Sequence, residues 1–165
     1  MQSSDQSSKQ SPSLKARALR FLSRREYSRK ELAQKLLQTA TQKSADVPND
    51  LEEQIEEVLS EFEKRGWLSD ERYAEVLARR RSQRYGMRRV TEELQRAGIE
   101  QSTISKLSQD LKATEFERAY ALWQRKFGQI SHEQKERARQ YRFLVSKGFN
   151  PDLVSRLISG RNHSE

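Results

Sequence analysis

Residues Leu51-Glu52-Glu53-Gln54-Ile55-Glu56-Glu57-Val58-Leu59-Ser60-Glu61-Phe62-Glu63-Lys64-Arg65-Gly66-Trp67 place apolar side chains at offsets 0, 4, 7, 8 and 11 from Leu51. That spacing gathers Leu51, Ile55, Val58, Leu59 and Phe62 on one stripe of an α-helix and turns the acids toward water. Lys64 and Arg65 complement the negative end of the helix dipole, and Gly66 is placed for a left-handed cap. A helix with a single apolar stripe has to be covered by a second packed element. The flanking sequence offers only more helices.

Toward the N-terminus, Leu14, Ala18, Phe21 and Leu22 form a short stripe, and Ser28 and Glu31 make a capping box before a helix with Leu32 and Leu36 inward. Residues 39–49 turn to Thr, Gln, Lys, Ser, Asp and Pro and read as a mobile loop. Toward the C-terminus, Ser69-Asp70-Glu71 opens a helix bearing Tyr73, Val76 and Leu77, and Met87, Val90, Leu94 and Ala97 form the next stripe, ended by Gly98. Ile104, Leu107 and Leu111 mark a weaker helix. Thr114 and Glu117 read as a second capping box, followed by Phe116, Tyr120, Trp123 and Phe127 and an end at Gly128. Ser131 and Gln134 open a helix with Ala138, Tyr141, Leu144 and Val145 inward, and Asn150-Pro151 starts a last one with Leu153, Leu157 and Ile158. The expected fold is all-α: nine helices and no strand.

Composition agrees with thin helical layers. Only 33% of the 165 residues are hydrophobic and 34% are charged, too little apolar surface for one thick core. Six Gly and three Pro argue against a turn-rich β fold. The absence of Cys excludes disulfides, thiolate nucleophiles and zinc ribbons. Residues 1–13 are rich in Ser and Gln and read as a disordered tail, neither signal peptide nor lipidation signal. No apolar run approaches the roughly 18 residues a membrane span requires, so a soluble, cytoplasmic protein is expected.

Nine helices invite grouping in threes. The corner between first and second helices recurs as Arg24-Arg25-Glu26-Tyr27-Ser28, Arg84-Tyr85-Gly86 and Arg125-Lys126-Phe127-Gly128, with aromatics 58 and then 42 residues apart. A second signature, a large apolar residue four before glycine and another just after, occurs as Phe62-Gly66-Trp67, Leu94-Gly98-Ile99 and Leu144-Gly148-Phe149. The resulting division is a tail over 1–13, modules over 14–68, 69–112 and 113–160, and a tail over 161–165. Modules that each expose an incomplete apolar face stack in a line, giving an elongated, curved array.

These residues carry a resemblance. Tyr27-Ser28-Arg29-Lys30-Glu31-Leu32, Arg65-Gly66-Trp67-Leu68-Ser69-Asp70-Glu71-Arg72-Tyr73-Ala74, Arg84-Tyr85-Gly86 continuing to Glu93-Leu94-Gln95-Arg96-Ala97-Gly98-Ile99, and Phe143-Leu144-Val145-Ser146-Lys147-Gly148-Phe149 together resemble the RecX family of bacterial regulators of the RecA recombinase. The resemblance spans about Leu14 to Gly160. It implies three tandem three-helix modules and a non-enzymatic protein that binds the RecA filament on single-stranded DNA and restrains it. The Ser/Gln-rich tail has no counterpart in the family pattern, and the loop over 39–49 reads as variable; neither touches those motifs.

Charge points to the same kind of partner. The net charge is +8, and Arg79, Arg80, Arg81, Arg84, Arg88 and Arg89 crowd one corner without an intervening acid. Arg80 and Arg84, four apart, are expected on one helix face; Arg88 and Arg89 sit near a helix start whose N–H groups favour anions. With Arg24, Arg25, Arg125 and Lys126 from the other corners they form the candidate surface for the filament or for DNA directly. The alternative is a solvated face whose aliphatic stems cover core edges. Trp67, Trp123, Tyr85 and Phe127 are either stacking platforms for bases or core residues. From Asp46 to Glu63 eight acids meet no Lys or Arg, forming either a docking face or an ordinary solvated one.

Enzyme chemistry finds no support. His132 and Glu136 have i, i+4 metal geometry but no third ligand nearby in sequence, and exposed pairs such as Glu52-Glu53 lack the environment acid–base work requires. No phosphate loop, dinucleotide fingerprint or nucleophile elbow is present, so neither metal nor cofactor is expected. A monomeric binding regulator is the leading expectation. A stand-alone DNA-binding protein using a helix-turn-helix corner is the alternative, and a helical scaffold without a nucleic-acid role is a third.

Overall fold

The computed structural model describes residues 11–43 and 45–160; the expectations for residues 1–10 and for the tail at 161–165 lie outside these. Among the described residues there are nine helices and no strand. Residues up to Ser69 form one compact unit and those from Asp70 a second. The first holds α1 (Leu14–Leu22), α2 (Arg29–Lys43) and α3 (Leu51–Lys64). The second holds α4 (Asp70–Ser82), α5 (Met87–Arg96), α6 (Gln101–Ala113), α7 (Glu115–Lys126), α8 (Gln134–Ser146) and α9 (Pro151–Ile158).

Each group of three helices closes over its own apolar cluster. Ala18, Leu32, Leu36, Ile55, Leu59 and Phe62 fill the first; Tyr73, Ala74, Leu77, Val90, Leu94 and Ile104 the second; Ala119, Trp123, Leu144, Phe149, Val154 and Leu157 the third. The α3 stripe is wholly buried, Leu51, Ile55, Val58, Leu59 and Phe62 alike. Its acids are partly matched within the unit. Arg29 pairs with Glu56 and, at 2.7 Å, with Glu63, while Glu61 takes Lys15 at 2.6 Å and Arg65 at 2.9 Å.

Helix caps account for several boundaries. The Ser28 hydroxyl accepts from the Glu31 N–H at 3.1 Å, and the Asn150 side-chain Oδ1 accepts from Asp152 and Leu153 N–H groups at 2.8 and 3.3 Å. Ser13, assigned to the tail by composition, is the N-cap of α1 and accepts from Ala16 N–H at 3.2 Å. The Phe62-Gly66-Trp67 signature is a Schellman turn: Trp67 N–H reaches Phe62 C=O at 2.9 Å and Gly66 N–H reaches Glu63 C=O at 3.0 Å. Leu94-Gly98-Ile99 and Leu144-Gly148-Phe149 repeat it. The first of these turns ends a third helix and the other two end second helices, so the signature marks helix ends rather than one position in the repeat.

Other expectations are corrected. The segment 39–49 is not a loop throughout, because α2 continues to Lys43. Its Thr39 and Thr41 hydroxyls donate back to carbonyls three and four residues earlier, which lets polar residues stay helical. Thr114 forms no capping box. Its hydroxyl donates to Asp110 and Leu111 carbonyls at 3.2 and 3.5 Å, so Thr114 closes α6 and stands as the N-cap of α7 without a side-chain cap bond. Val76 and Tyr120, expected inward, are 43% and 46% exposed, and Ala74, Ala78 and Ala119 are buried in their place. At close helix approaches a small side chain fits where a larger one would hold the helices apart.

A basic and aromatic surface on the second unit

The arginine cluster divides by partner. Arg81 lies 2.8 Å from Glu93, Arg89 3.9 Å from the same carboxylate, and Arg88 4.0 Å from Glu92. The acids missing from the arginine stretch arrive from the next two turns of α5. Arg79, Arg80 and Arg84 are exposed and make no ion pair among the described residues. Arg84 stands in the turn beyond Ser82, outside α4, so it does not continue the face carrying Arg80.

The expected anion site at the start of α5 is already occupied. Met87 N–H donates to Glu115 Oε1 at 3.2 Å, and this carboxylate, 3% exposed, also accepts from Asn150 N–H at 3.3 Å. One buried acid thus faces the positive ends of α5 and α9. Gly86 N–H meanwhile donates to Lys147 C=O at 2.9 Å.

What the sequence reading did not assemble is a row of cations and rings running from the α4–α5 corner to α8. The Tyr85 ring has Arg89 at 4.2 Å, Arg81 at 5.4 Å and Lys147 at 5.6 Å from its centroid. Lys147 is also 5.4 Å from Phe143, whose ring takes Lys126 at 4.5 Å. Phe143 meets Phe127 edge-on at 5.5 Å, and Arg139 lies 5.9 Å from Phe127. A ring face attracts a cation, so the aromatics hold these charged heads in place at the surface. Beside the row, Lys126, Phe127, Gln129, Ile130, Arg139 and Gln140 line a cleft of about 540 Å³.

Arg81, Arg89 and Lys126 of the sequence-derived set therefore join one row, with Arg88 beside it, its guanidinium donating to Val145 C=O at 3.3 Å. Arg125 is exposed in the last turn of α7. Arg24 and Arg25 belong to the first unit. Arg25 stacks on Tyr27 at 3.6 Å and pairs with Glu31 at 3.1 Å, so its charge is engaged locally, whereas Arg24 is exposed. Phe143, Lys147 and Arg139 were missed, although Lys147, the C-cap of α8 with helical backbone angles, follows Phe143 by four and so continues its face.

The aromatic candidates separate too. Trp123 is buried, its indole N–H donating to Gln140 Oε1 at 2.9 Å, which makes it a core residue. Tyr85 and Phe127 are half-buried beneath cations, and Trp67 is 43% exposed with Arg65 at 4.9 Å from its ring. Among the described residues no three of His, Cys, Asp and Glu form a metal-holding group, and no helix is long and apolar enough to cross a membrane.

Three-helix units in tandem with a cation-rich face define a helical-repeat protein. Family profiles described as the first, second and third three-helix domains of RecX match residues 15–39, 69–107 and 113–158. The chain is 41% identical over 148 residues to "Regulatory protein RecX" of Ralstonia pickettii, covering 90% of this chain and 87% of that protein. It is 40% identical over 151 residues to the protein of that name in Leptothrix cholodnii, covering 92% and 90%. The crystal structure of RecX from Lactobacillus salivarius superposes with a TM-score of 0.70 at 22% identity over 90% of this chain and 94% of that one, a likeness of fold. The chain belongs to the RecX family of regulatory proteins.

Proposed function

We propose that this protein is a non-enzymatic cytoplasmic regulator that binds the RecA filament on single-stranded DNA and restrains its recombinase, ATPase and coprotease activities. Family membership supports the regulatory role. The observation that carries the anion-binding part is the cation and ring row from Arg81 through Tyr85, Arg89, Lys147 and Phe143 to Lys126. Cations held on rings lose less freedom on meeting a polyanion than cations on free side chains. Inhibition then follows from occupancy: a bound array obstructs filament growth and the subunit motions coupled to ATP turnover, with no bond made or broken.

The other reading, a stand-alone DNA-binding protein, needs the start of a second helix in a groove. At the α4–α5 corner that start is covered, with Gly86 buried and Met87 N–H held by Glu115. This weighs against groove reading there. The deciding experiment measures RecA ATPase on single-stranded DNA with and without the protein, alongside binding to the same DNA alone. Inhibition with tighter binding to the filament than to bare DNA is expected. Unchanged ATPase at saturating protein refutes the proposal.

A further inference from the structure

The second and third helix triplets have separate apolar clusters, so no shared core sets the angle between them. Polar and backbone contacts do. Glu115, buried at the head of α7, holds the N-termini of α5 and α9 together through Met87 and Asn150 N–H. One turn on, the Arg118 guanidinium donates to Ser82 and Tyr85 carbonyls at 2.9 Å and to Leu111 C=O at 2.8 Å, and its Nε reaches Thr114 Oγ1 at 3.1 Å. It thereby closes the carbonyl ends of α4 and α6. Burial draws this guanidinium below its ordinary pKa, and the Glu115 charge opposes that shift.

The two residues place negative charge at two helix N-termini and positive charge at two C-termini, each the stabilising sign. The backbones also touch. A Cβ on Gly86 would stand 2.3 Å from Gly148 C and O and from Phe149 N, so any side chain there drives the triplets apart. A part-buried network of this kind favours one arrangement, because an alternative that breaks it leaves the buried Glu115 carboxylate without its N–H partners.

The cation row crosses this junction: Arg81, Tyr85 and Arg89 stand on one side, Lys147, Phe143 and Lys126 on the other. We propose that Glu115 and Arg118 are positioning residues that lock the second and third triplets into one body, so that two separate basic patches become a single track for one polyanion strand. The inference rests on the functional reading above, because the row has to be the anion-binding surface. Neither residue contacts the polyanion.

The test uses the full chain and two single-stranded oligothymidylates, one of about 6 nucleotides that covers a single patch and one of about 20 that spans both. Because the natural sequence has no Cys, spin labels at Gln95→Cys and Ser155→Cys report the distance between triplets without background. Wild type is expected to give a narrow distance distribution and to prefer the longer strand by at least tenfold at low salt. Glu115→Ala is expected to broaden the distribution and remove most of that preference while affinity for the short strand and helical content stay unchanged. Glu115→Gln, which keeps an oxygen acceptor, restores both.

Gly86→Ala, wedging the triplets apart without altering a charge, reproduces the Glu115→Ala result and serves if the latter does not fold. A narrow distribution and full long-strand preference in both Ala variants overturns the lock. A broadened distribution with preference retained overturns the positioning role and leaves a merely structural contact. Wild type that binds neither strand overturns the row as a nucleic-acid surface, and the positioning role with it, whereas the regulatory reading stands or falls separately on the RecA ATPase measurement.

Discussion

Leu59 illustrates how a single side chain carries the fold. It is fully buried beneath α1 and α2, so Leu59→Ala removes apolar contacts and leaves a cavity in the first cluster. We expect a loss of about 2–5 kcal/mol, visible as a lowered thermal midpoint of the first unit. A melt indistinguishable from wild type contradicts that burial. Residues of this kind were readable from spacing alone, because large apolar side chains at helical offsets have few other places to go. Small residues were not. Ala74, Ala78 and Ala119 are buried, yet alanine has no strong side preference in sequence, and Val76 and Tyr120 drew the stripe toward the wrong face. Gln140 was hidden for another reason: its burial is set by the Trp123 indole seeking an acceptor from a different helix.

Helix ends show where local sequence suffices. Ser28 and Asn150 cap donors two or three residues away, so their roles follow from neighbours in the chain. Thr114 makes no side-chain cap bond into α7 because α6 runs almost directly into α7 and its hydroxyl takes the earlier carbonyls. The glycines at helix ends differ in what surrounds them. Gly66 has φ of +74° and nothing within 4 Å of a notional Cβ, whereas Gly148 has φ of +93° and would place a Cβ 2.7 Å from Arg89 Cβ. Gly66→Ala is therefore expected to cost about 1–2 kcal/mol from backbone conformation alone. Gly148→Ala adds a collision at the triplet junction and should lower the thermal midpoint further. Equal midpoints would show that the junction yields freely.

On the scale of the molecule, the proposed function draws on charge brought together from distant sequence. The six-arginine stretch was visible at once, but its partition into Arg79, Arg80 and Arg84, without ion pairs among the described residues, and Arg81, Arg88 and Arg89 beside Glu92 and Glu93 needed the fold. The lock was not legible at all. Glu115 meets Met87 across 28 residues and Arg118 meets Ser82 across 36, and no local pattern announces such pairings. Arg80→Ala with Arg84→Ala is expected to weaken RecA inhibition with helical content unchanged. On bare duplex DNA, about six neutralised phosphates give a log–log salt slope near −5, and this double variant should flatten it by about 2. Identical inhibition and slope would remove Arg80 and Arg84 from the surface.

The three separate apolar clusters also bear on how such a chain can diverge. A triplet that closes its own core keeps its apolar cluster covered when a neighbour is duplicated, lengthened or lost. Substitutions inside one cluster then need no matching change in another. Drift of this sort yields repeats that keep their corners and helix ends while spacing wanders, as in the 58- and 42-residue intervals between Tyr27, Tyr85 and Phe127. At the junction of the last two triplets, Glu115 and Arg118 bind the fate of one to the backbone of the other.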